Sequence, residues 1–252
     1  MASTSLIRST LGWLAAASVA GIFALVYLYN PSINMSAAST PTPPNNKNKT
    51  PPANLETVTL GAGCFWCTQA VLQRVDGVWE VTCGYMGGTI PNPTYEQVCT
   101  DLTGHAEVVQ VKFDPKVLSF ADLLEWFWRL HDPTTLNRQG DDVGTQYRSA
   151  IFYSSEAQKL TAEKSKVEAQ KRFKTPIVTE ITPATTFYKA EGYHQEYFNN
   201  NSSAGYCRLV IAPKLDKLHL TQAPTSAPGL GTAAPSSAAA ASGAASGSDK
   251  KN

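Results

Sequence analysis

The sequence lacks an excess of charge of either sign. Its 21 Lys and Arg residues are balanced by 20 Asp and Glu residues, which leaves a formal net charge of +1 over 252 residues. It also has no run of basic residues and no G-x-x-x-x-G-K phosphate-binding loop. Because nucleic-acid binding depends on positive charge that pairs with phosphates, we expect no nucleic-acid partner.

The sequence also lacks the spacing of a zinc site. Cys64 and Cys67 form a C-x-x-C pair, but no second C-x-x-C and no H-x3-H sequence exists to complete four ligands. The cysteines number five, at Cys64, Cys67, Cys83, Cys99 and Cys207. An odd number would leave one thiol over from a purely structural set of disulfides. We therefore expect no bound metal and at least one thiol that is free for chemistry.

Charge is absent from Ser9 to Asn46, and residues 11–29 within that stretch are almost all apolar. Such a run is long enough to cross a bilayer as a helix. Arg8 and the amino terminus place positive charge on one side only, which predicts a cytosolic amino terminus and a domain on the non-cytosolic side. We predict a signal-anchor segment over residues 1–30, and a cleaved signal peptide or an organelle-targeting segment is the alternative.

Two further regions have compositions that disfavour a packed core. Residues 31–54 are rich in Pro, Ser, Thr and Asn, which predicts a stiff, unfolded linker. Residues 214–252 consist largely of Ala, Ser and Gly, which predicts a disordered tail. One folded domain remains, over residues 55–213, and its length is ordinary for a single hydrophobic core.

Within this domain, strand and helix patterns alternate. Apolar alternation and β-branched residues predict strands over residues 57–60, 78–85, 106–113, 149–153 and 177–181. Capping residues predict helices that begin after Thr94, Ser119 and Ser155. We therefore predict an α/β or α+β fold, as a two-layer sandwich of one sheet and its helices.

The stretch from Gly61 to Thr68 connects the first strand to an amphipathic helix pattern. This places Cys64 at the helix N-terminus, where backbone N–H groups and the helix dipole favour a thiolate and should lower its pKa. Phe65 and Trp66 follow directly and are suited to wall an apolar pocket. The alternative is an inert buried thiol beside two aromatic core residues.

Five short motifs occur in an order that is similar to the type A peptide methionine sulfoxide reductases. They are Gly63-Cys64-Phe65-Trp66, Asn92-Pro93-Thr94-Tyr95, Gly104-His105-Ala106-Glu107, Gly144-Thr145-Gln146-Tyr147-Arg148-Ser149 and Gly205-Tyr206-Cys207. Enzymes of this kind reverse the oxidation of methionine. The resemblance extends over residues 57–207, nearly the whole predicted domain, and it excludes the anchor, linker and tail.

The resemblance implies roles for the residues around Cys64. Cys64 would attack the sulfoxide sulfur, Phe65 and Trp66 would hold the methyl group, and Glu107 would protonate the departing oxygen. A sulfoxide oxygen leaves poorly until it is protonated, so a carboxyl kept neutral in an apolar pocket is a suitable acid. Without the resemblance, Glu107 would be interpreted as a solvated carboxylate at a strand edge.

The resemblance also implies that Tyr95, Tyr147 and Asp142 form hydrogen bonds around the same oxygen. Cys207 would then convert the sulfenic acid on Cys64 to a disulfide. A flexible coil over residues 199–203, just before Gly205, would allow Cys207 to approach. Cys67 is not present in many members of the family and is an alternative resolving thiol.

The resemblance implies an enzyme that repairs oxidative damage by reducing the S epimer of methionine sulfoxide, free or in proteins. It would be a monomer with no bound cofactor and would use thioredoxin or another dithiol as reductant. His105 and His131 are predicted to form local hydrogen bonds only. The alternatives are a membrane-tethered thiol-disulfide oxidoreductase that uses Cys64 and Cys67, and a non-catalytic thiol protein that binds partners through its tail.

Overall fold

The computed structural model describes residues 50–221 of the chain. The predicted anchor, most of the predicted linker and residues 222–252 of the predicted tail lie outside this range. Between residues 50 and 221, no helix is both long and apolar enough to cross a membrane.

A six-stranded sheet forms one layer of the domain. Its strands are β1 (Glu56–Ala62), β2 (Val78–Met86), β3 (Ala106–Phe113), β6 (Ser149–Tyr153), β7 (Glu180–Pro183) and β8 (Tyr188–Lys189), while β4 (Arg138–Gln139) and β5 (Asp142–Val143) form a separate ribbon. The strand order in the sheet is β7-β6-β1-β3-β2-β8. Neighbouring strands are antiparallel except β6 and β7, which are parallel. The mixed sheet-and-helix fold predicted from the sequence is confirmed.

The alternation along β3 determines which side chains face the helices. Val109, Val111 and Phe113 belong to the main core, whereas Ala106 and Val108 belong to a small second cluster. Since successive side chains of a strand point to opposite faces, these two clusters lie on the two sides of the sheet. Glu107 is in phase with Val109 and therefore faces the helices.

The helices pack on the main-core face. They are α1 (Phe65–Leu72), α2 (Tyr95–Val98), α3 (Phe120–Leu130), α4 (Glu156–Gln170), α5 (Tyr197–Asn200) and α6 (Ala212–Lys217). Ser119 caps α3 as predicted, because its Oγ accepts a hydrogen bond from the Asp122 N–H at 3.1 Å. Leu123, Leu124 and Phe127 of α3 are fully buried.

Helix α1 is buried on almost every side, so the predicted amphipathic pattern is wrong. The sheet covers one side of α1, and the C-terminal segments α5, residues 207–211 and α6 cover the other. The polar Gln69 is tolerated in this buried position because both its amide nitrogen and its amide oxygen form hydrogen bonds. Its Nε2 donates to the Val81 carbonyl at 2.9 Å, and its Oε1 accepts from the Glu196 N–H at 2.8 Å.

The fifth predicted strand is displaced. It was expected over residues 177–181 but runs from Glu180 to Pro183, where β7 pairs with β6. The first two residues of the predicted strand form backbone hydrogen bonds elsewhere. The Ile177 N–H donates to Gln170 Oε1 at 2.7 Å, and the Val178 N–H donates to the Pro133 carbonyl at 2.9 Å. These bonds hold the segment against α4 and a loop, so it does not join the sheet.

The C-terminal helix α6 extends past residue 213, the predicted end of the domain. Leu215 and Leu218 belong to the main core together with Ile211. A boundary at residue 213 therefore lies inside this helix, and it would remove two core side chains.

We expect Leu215→Ala to lower the free energy of unfolding by about 2–5 kcal/mol, since it leaves a cavity beneath α1. Lys217→Ala, at an exposed position on the same helix, should change the free energy by less than about 0.5 kcal/mol. Urea unfolding of both variants is the measurement. Equal small effects would mean that α6 does not contribute to the core.

Candidate active site

Cys64 lies between the end of β1 and the start of α1, as predicted. Gly63 adopts a φ of +80°, and a Cβ there would lie 2.5 Å from Cβ of Gln139. Only glycine fits this turn without strain. Cys64 is the N-cap residue of α1, but its side chain forms no capping hydrogen bond. Its exposure is only 8%.

Glu107 binds the start of the same helix. The Phe65 N–H donates to Glu107 Oε2 at 3.1 Å, and the Glu107 side chain is buried. Because Glu107 faces the helices from β3, this bond joins the central sheet to the first turn of α1. The Phe65 N–H has no acceptor within the helix, and it donates to the Glu107 carboxyl and not to the Cys64 sulfur.

Burial raises the pKa of Glu107 from 4.5 to about 8, and the charges of Asp142 and Cys67 act in the same direction. The hydrogen bond from Phe65 lowers the pKa but does not outweigh burial. Glu107 is thus mainly protonated at neutral pH, which is the state required of a general acid. The alternative of a solvated carboxylate at a strand edge is wrong.

The predicted low pKa of Cys64 is also wrong. Burial raises its pKa well above the ordinary value, and the Cys67 side chain and the Glu107 charge raise it further. The sequence shows the helix start but not the burial that outweighs its dipole. In the absence of substrate, Cys64 is therefore a protonated thiol.

Cys67 is the more acidic thiol of the pair. Its interaction with the Cys64 thiol lowers the pKa of Cys67 to about 7 against the effect of burial, and the charge of Lys214 contributes. The Tyr206 hydroxyl lies 3.6 Å from the Cys67 sulfur and also donates to Asp142 Oδ2 at 3.1 Å. Tyr206 therefore connects the thiols to the β4–β5 ribbon.

Tyr95 and Tyr147 lie near the carboxyl of Glu107. Tyr95 is the first residue of α2, and Tyr147 ends a short 3-10 turn. Burial raises the pKa of both hydroxyls, and the Glu107 charge adds to the shift. Both hydroxyls consequently stay protonated and can donate hydrogen bonds without adding charge.

Phe65 and Trp66 are part of an aromatic cluster. Phe65 is almost fully buried, and its ring centroid lies 6.3 Å from that of Trp66. Trp66 stacks on Tyr197, with centroids 3.7 Å apart and planes inclined by 8°. The Trp66 Nε1–H donates to His194 Nδ1 at 3.1 Å. The indole is thus held at one face and at one edge.

The sequence predicted that a flexible coil would let Cys207 move, but Cys207 lies in a helical turn. It begins a π-helical turn over Cys207–Ile211, and its side chain lies in the main core. Part of the preceding segment predicted to be coil is also helical, since α5 includes Asn199 and Asn200. Burial raises the pKa of Cys207, and the charge of Cys67 contributes. All five cysteines, which lie among the described residues, are free thiols.

Two histidines form the local hydrogen bonds that were predicted. His105 Nδ1 accepts from the Gly88 N–H at 3.1 Å, and His131 Nδ1 donates to the Phe127 carbonyl at 2.7 Å. Within residues 50–221, no group of three or more His, Cys, Asp or Glu side chains is placed to hold a metal ion.

Three residues of the site were not identified from the sequence. Tyr206 belongs to the Gly205-Tyr206-Cys207 motif, and its place directly before Cys207 was the available signal. Glu191 and His194 belong to a short polar segment without periodicity. Glu191 accepts from the Tyr85 hydroxyl at 2.8 Å and from the Tyr95 N–H at 2.9 Å. No local sequence pattern predicts such contacts between segments that are distant in the chain.

Comparison with known proteins gives one consistent family. The profile of peptide methionine sulfoxide reductase matches residues 56–226. A peptide methionine sulfoxide reductase of Saccharolobus solfataricus is 56% identical over 163 residues, which are 65% of this chain and 92% of the relative. One from Thermus thermophilus is 57% identical over 162 residues, which are 64% of this chain and 92% of the relative.

Two solved structures are also similar. Reduced Mxr1 from Saccharomyces cerevisiae is 40% identical and has a TM-score of 0.59, with 63% of this chain and 92% of that chain covered. Methionine sulfoxide reductase A of Corynebacterium diphtheriae is 35% identical with a TM-score of 0.56, covering 63% of this chain and 80% of that chain.

The raised pKa of Glu107 predicts a pH-dependent effect of Glu107→Gln. In the parent, the folded state keeps the proton up to about pH 8, whereas the unfolded chain ionises near the ordinary value of 4.5. The folded state binds more protons between these values, so parent stability falls as pH rises through this window. Glutamine does not ionise, so urea unfolding should find the variant gaining stability relative to the parent over the same window.

Glu80→Gln is the control, because a hydrogen bond from Lys112 lowers the pKa of Glu80. Below pH 4.5 the unfolded chain binds more protons at Glu80 than the folded state does, so the parent gains stability as pH rises through this region. The Glu80→Gln variant therefore becomes less stable relative to the parent over the same region. A Glu107→Gln difference that is independent of pH would mean that Glu107 is ionised in the folded protein.

Proposed function

Because the chain belongs to the peptide methionine sulfoxide reductases, we propose that Cys64 attacks the sulfoxide sulfur and that Glu107 protonates the departing oxygen. The chain is a thiol-dependent reductase of methionine sulfoxide, as its motifs predicted. The observation that supports these roles is the buried, neutral carboxyl of Glu107, bound to the N–H of the residue that follows Cys64. A thiol-disulfide oxidoreductase based on Cys64 and Cys67 is not favoured, since it has no need of such an acid.

The first step balances without an external proton. The Cys64 sulfur bonds to the sulfoxide sulfur, and this bond breaks as the protonated oxygen moves from the substrate sulfur to the Cys64 sulfur, which yields a sulfenic acid on Cys64 and reduced methionine. Glu107 gives its proton to the oxygen, and the proton of the Cys64 thiol restores it. The Cys64 sulfur loses the two electrons that the substrate sulfur gains. Phe65 and Trp66 would hold the methyl group beside the reacting sulfur.

Tyr95 and Tyr147 would donate hydrogen bonds to the sulfoxide oxygen. This role is supported by the burial that keeps both hydroxyls protonated. Charge that develops on the oxygen during the reaction is stabilised by donors fixed in advance. Asp142 would act beside them by orienting Tyr206, from which it accepts a hydrogen bond.

Turnover needs a second thiol and a reductant. We assign the resolving role to Cys207, which would release water from the sulfenic acid and form a disulfide with Cys64. Cys207 is buried, so its π-helical turn must open first. Turns of this kind are rare and often occur at functional sites. A dithiol such as thioredoxin would then reduce the disulfide by exchange. Cys67, which faces Cys64, is the competing resolving thiol.

The S epimer of methionine sulfoxide, free or in proteins, is the substrate that we propose, with a monomeric enzyme. The test is a stereochemically resolved assay with dithiothreitol, which should show loss of the S epimer alone. Cys64→Ser should abolish this loss, because no other residue receives the oxygen. Insulin disulfide reduction without sulfoxide reduction would instead support the dithiol oxidoreductase.

The same proposal makes a distinct prediction for recycling. Cys207→Ser should release about one product per enzyme in a single turnover but should fail to turn over with thioredoxin, since the sulfenic acid is not resolved. Cys67→Ser is the matched control and should recycle as the parent does. Mass spectrometry after one turnover identifies the disulfide. A Cys64–Cys67 bond in the parent would transfer the resolving role to Cys67.

We also propose that residues 11–29 anchor the enzyme in a membrane, with the catalytic domain on the non-cytosolic side. The support is the apolar run with positive charge on its amino-terminal side only. The full-length protein should stay with membranes in alkaline carbonate, because a spanning helix is held by its apolar area. Release into the supernatant as full-length protein would contradict the anchor.

A further inference from the structure

We propose that His194 is a positioning residue, which fixes the Trp66 indole and thereby the selectivity of the methyl pocket. The inference rests on the proposed role of Trp66 as a pocket wall. His194 comes from a segment near the C-terminal end of the described chain, 128 residues from Trp66. Nothing in the local sequence assigns it to the site.

The hydrogen bond to Trp66 determines the tautomer of His194. An indole N–H only donates, so His194 Nδ1 must accept and Nε2 must carry the hydrogen. Nε2 is buried and has no hydrogen-bond partner, and it lies 3.9 Å from Glu191 Oε2. A protonated imidazole would carry hydrogens on both nitrogens and could not accept from Trp66.

The surroundings of His194 keep its ring in place. The imidazole is 1% exposed and packs against Phe65 and Tyr95, at centroid distances of 4.8 Å and 4.6 Å. Burial lowers the pKa of His194, although the charges of Glu191 and Glu96 oppose this. The ring is therefore mainly neutral at neutral pH, which is the state that can accept the indole hydrogen.

One short segment thus holds the pocket from two directions. His194 binds the edge of the Trp66 indole, and Tyr197 covers its face. Glu191 binds the N–H of Tyr95 at 2.9 Å and so fixes the start of α2 beside the same pocket. An indole held in this way cannot tilt to enlarge the pocket.

A rigid wall matters for selectivity between alkyl groups. A pocket fitted to a small group discriminates against one extra methylene by about 10- to 200-fold. This discrimination is lost if a wall can move away from the larger group. We therefore expect His194 to influence the choice between methyl and ethyl sulfoxides more than it influences the proton transfer by Glu107.

The test compares His194→Phe with His194→Gln. The phenyl ring keeps the aromatic packing but removes the acceptor, so kcat/KM for free methionine S-sulfoxide should fall about tenfold, mainly through KM. The preference over ethionine S-sulfoxide should fall with it. Glutamine offers an acceptor oxygen and should restore most of both values. Trp66 fluorescence should change in the Phe variant and recover in the Gln variant.

Ser165→Ala is the matched control, because Trp128 Nε1 donates to Ser165 Oγ at 2.7 Å away from the site. It removes the same kind of indole bond and should leave kinetics and selectivity unchanged. In a Trp66→Phe background, replacing His194 with Phe should have no further effect on selectivity. His194→Leu takes the place of His194→Phe if the latter does not fold.

The outcomes separate this inference from the proposed function. Parent-like selectivity in His194→Phe, or an equal loss in the Trp66→Phe background, overturns the positioning role. Unchanged kinetics and selectivity in Trp66→Phe alone would instead remove the indole from the methyl pocket, and the inference would fail with it. A loss in His194→Gln as large as that in His194→Phe would show that the acceptor atom does not position the indole, and it would also overturn the positioning role.

Discussion

The hydrogen bond from the Phe65 N–H to the Glu107 carboxyl is the contact on which the site depends. It joins the first turn of α1 to the central sheet and sets the position of the acid relative to the sulfur of Cys64. A buried carboxyl is unfavourable when ionised, and a single backbone donor does not compensate for the lost water. The consequence is a neutral acid at neutral pH. The fold thus keeps Glu107 protonated at neutral pH, whereas a glutamate in water would be ionised.

The C-terminal segments bury the other side of the site. Helix α1 would expose one side if only the sheet covered it, and segments within residues 194–217 cover that side. The same residues supply His194 and Tyr197 to Trp66, and Tyr206 to the thiols. Burial of α1 therefore has two results. It excludes water from the Cys64 thiol and the Glu107 carboxyl, and it holds the Trp66 indole, which we propose as a wall of the methyl pocket.

Local patterns explain which parts of this site could be predicted. The glycine turn located Cys64 at a helix start. The burial of Glu107 was not predicted from its strand pattern, which indicated a solvated carboxylate, and only the family resemblance indicated a role for it. The pKa of Cys64 was predicted in the wrong direction, because the dipole of α1 is a local property, whereas the burial of α1 also requires C-terminal segments more than a hundred positions away. The contact of Tyr206 with Asp142 and that of His194 with Trp66 are equally remote in sequence. Side-chain pairing across such distances is determined by packing, which no short segment encodes.

The pKa of Glu107 makes its carboxyl a neutral acid in the folded, reduced enzyme. A ¹³C NMR titration of the glutamate carboxyl carbons measures this directly, with the Glu107 resonance assigned by its absence from Glu107→Gln. We expect a midpoint near pH 8 for this resonance, in place of the ordinary 4.5. A midpoint near 4.5 would mean that Glu107 is ionised at neutral pH. In that case the proton for the departing oxygen would have to come from another group.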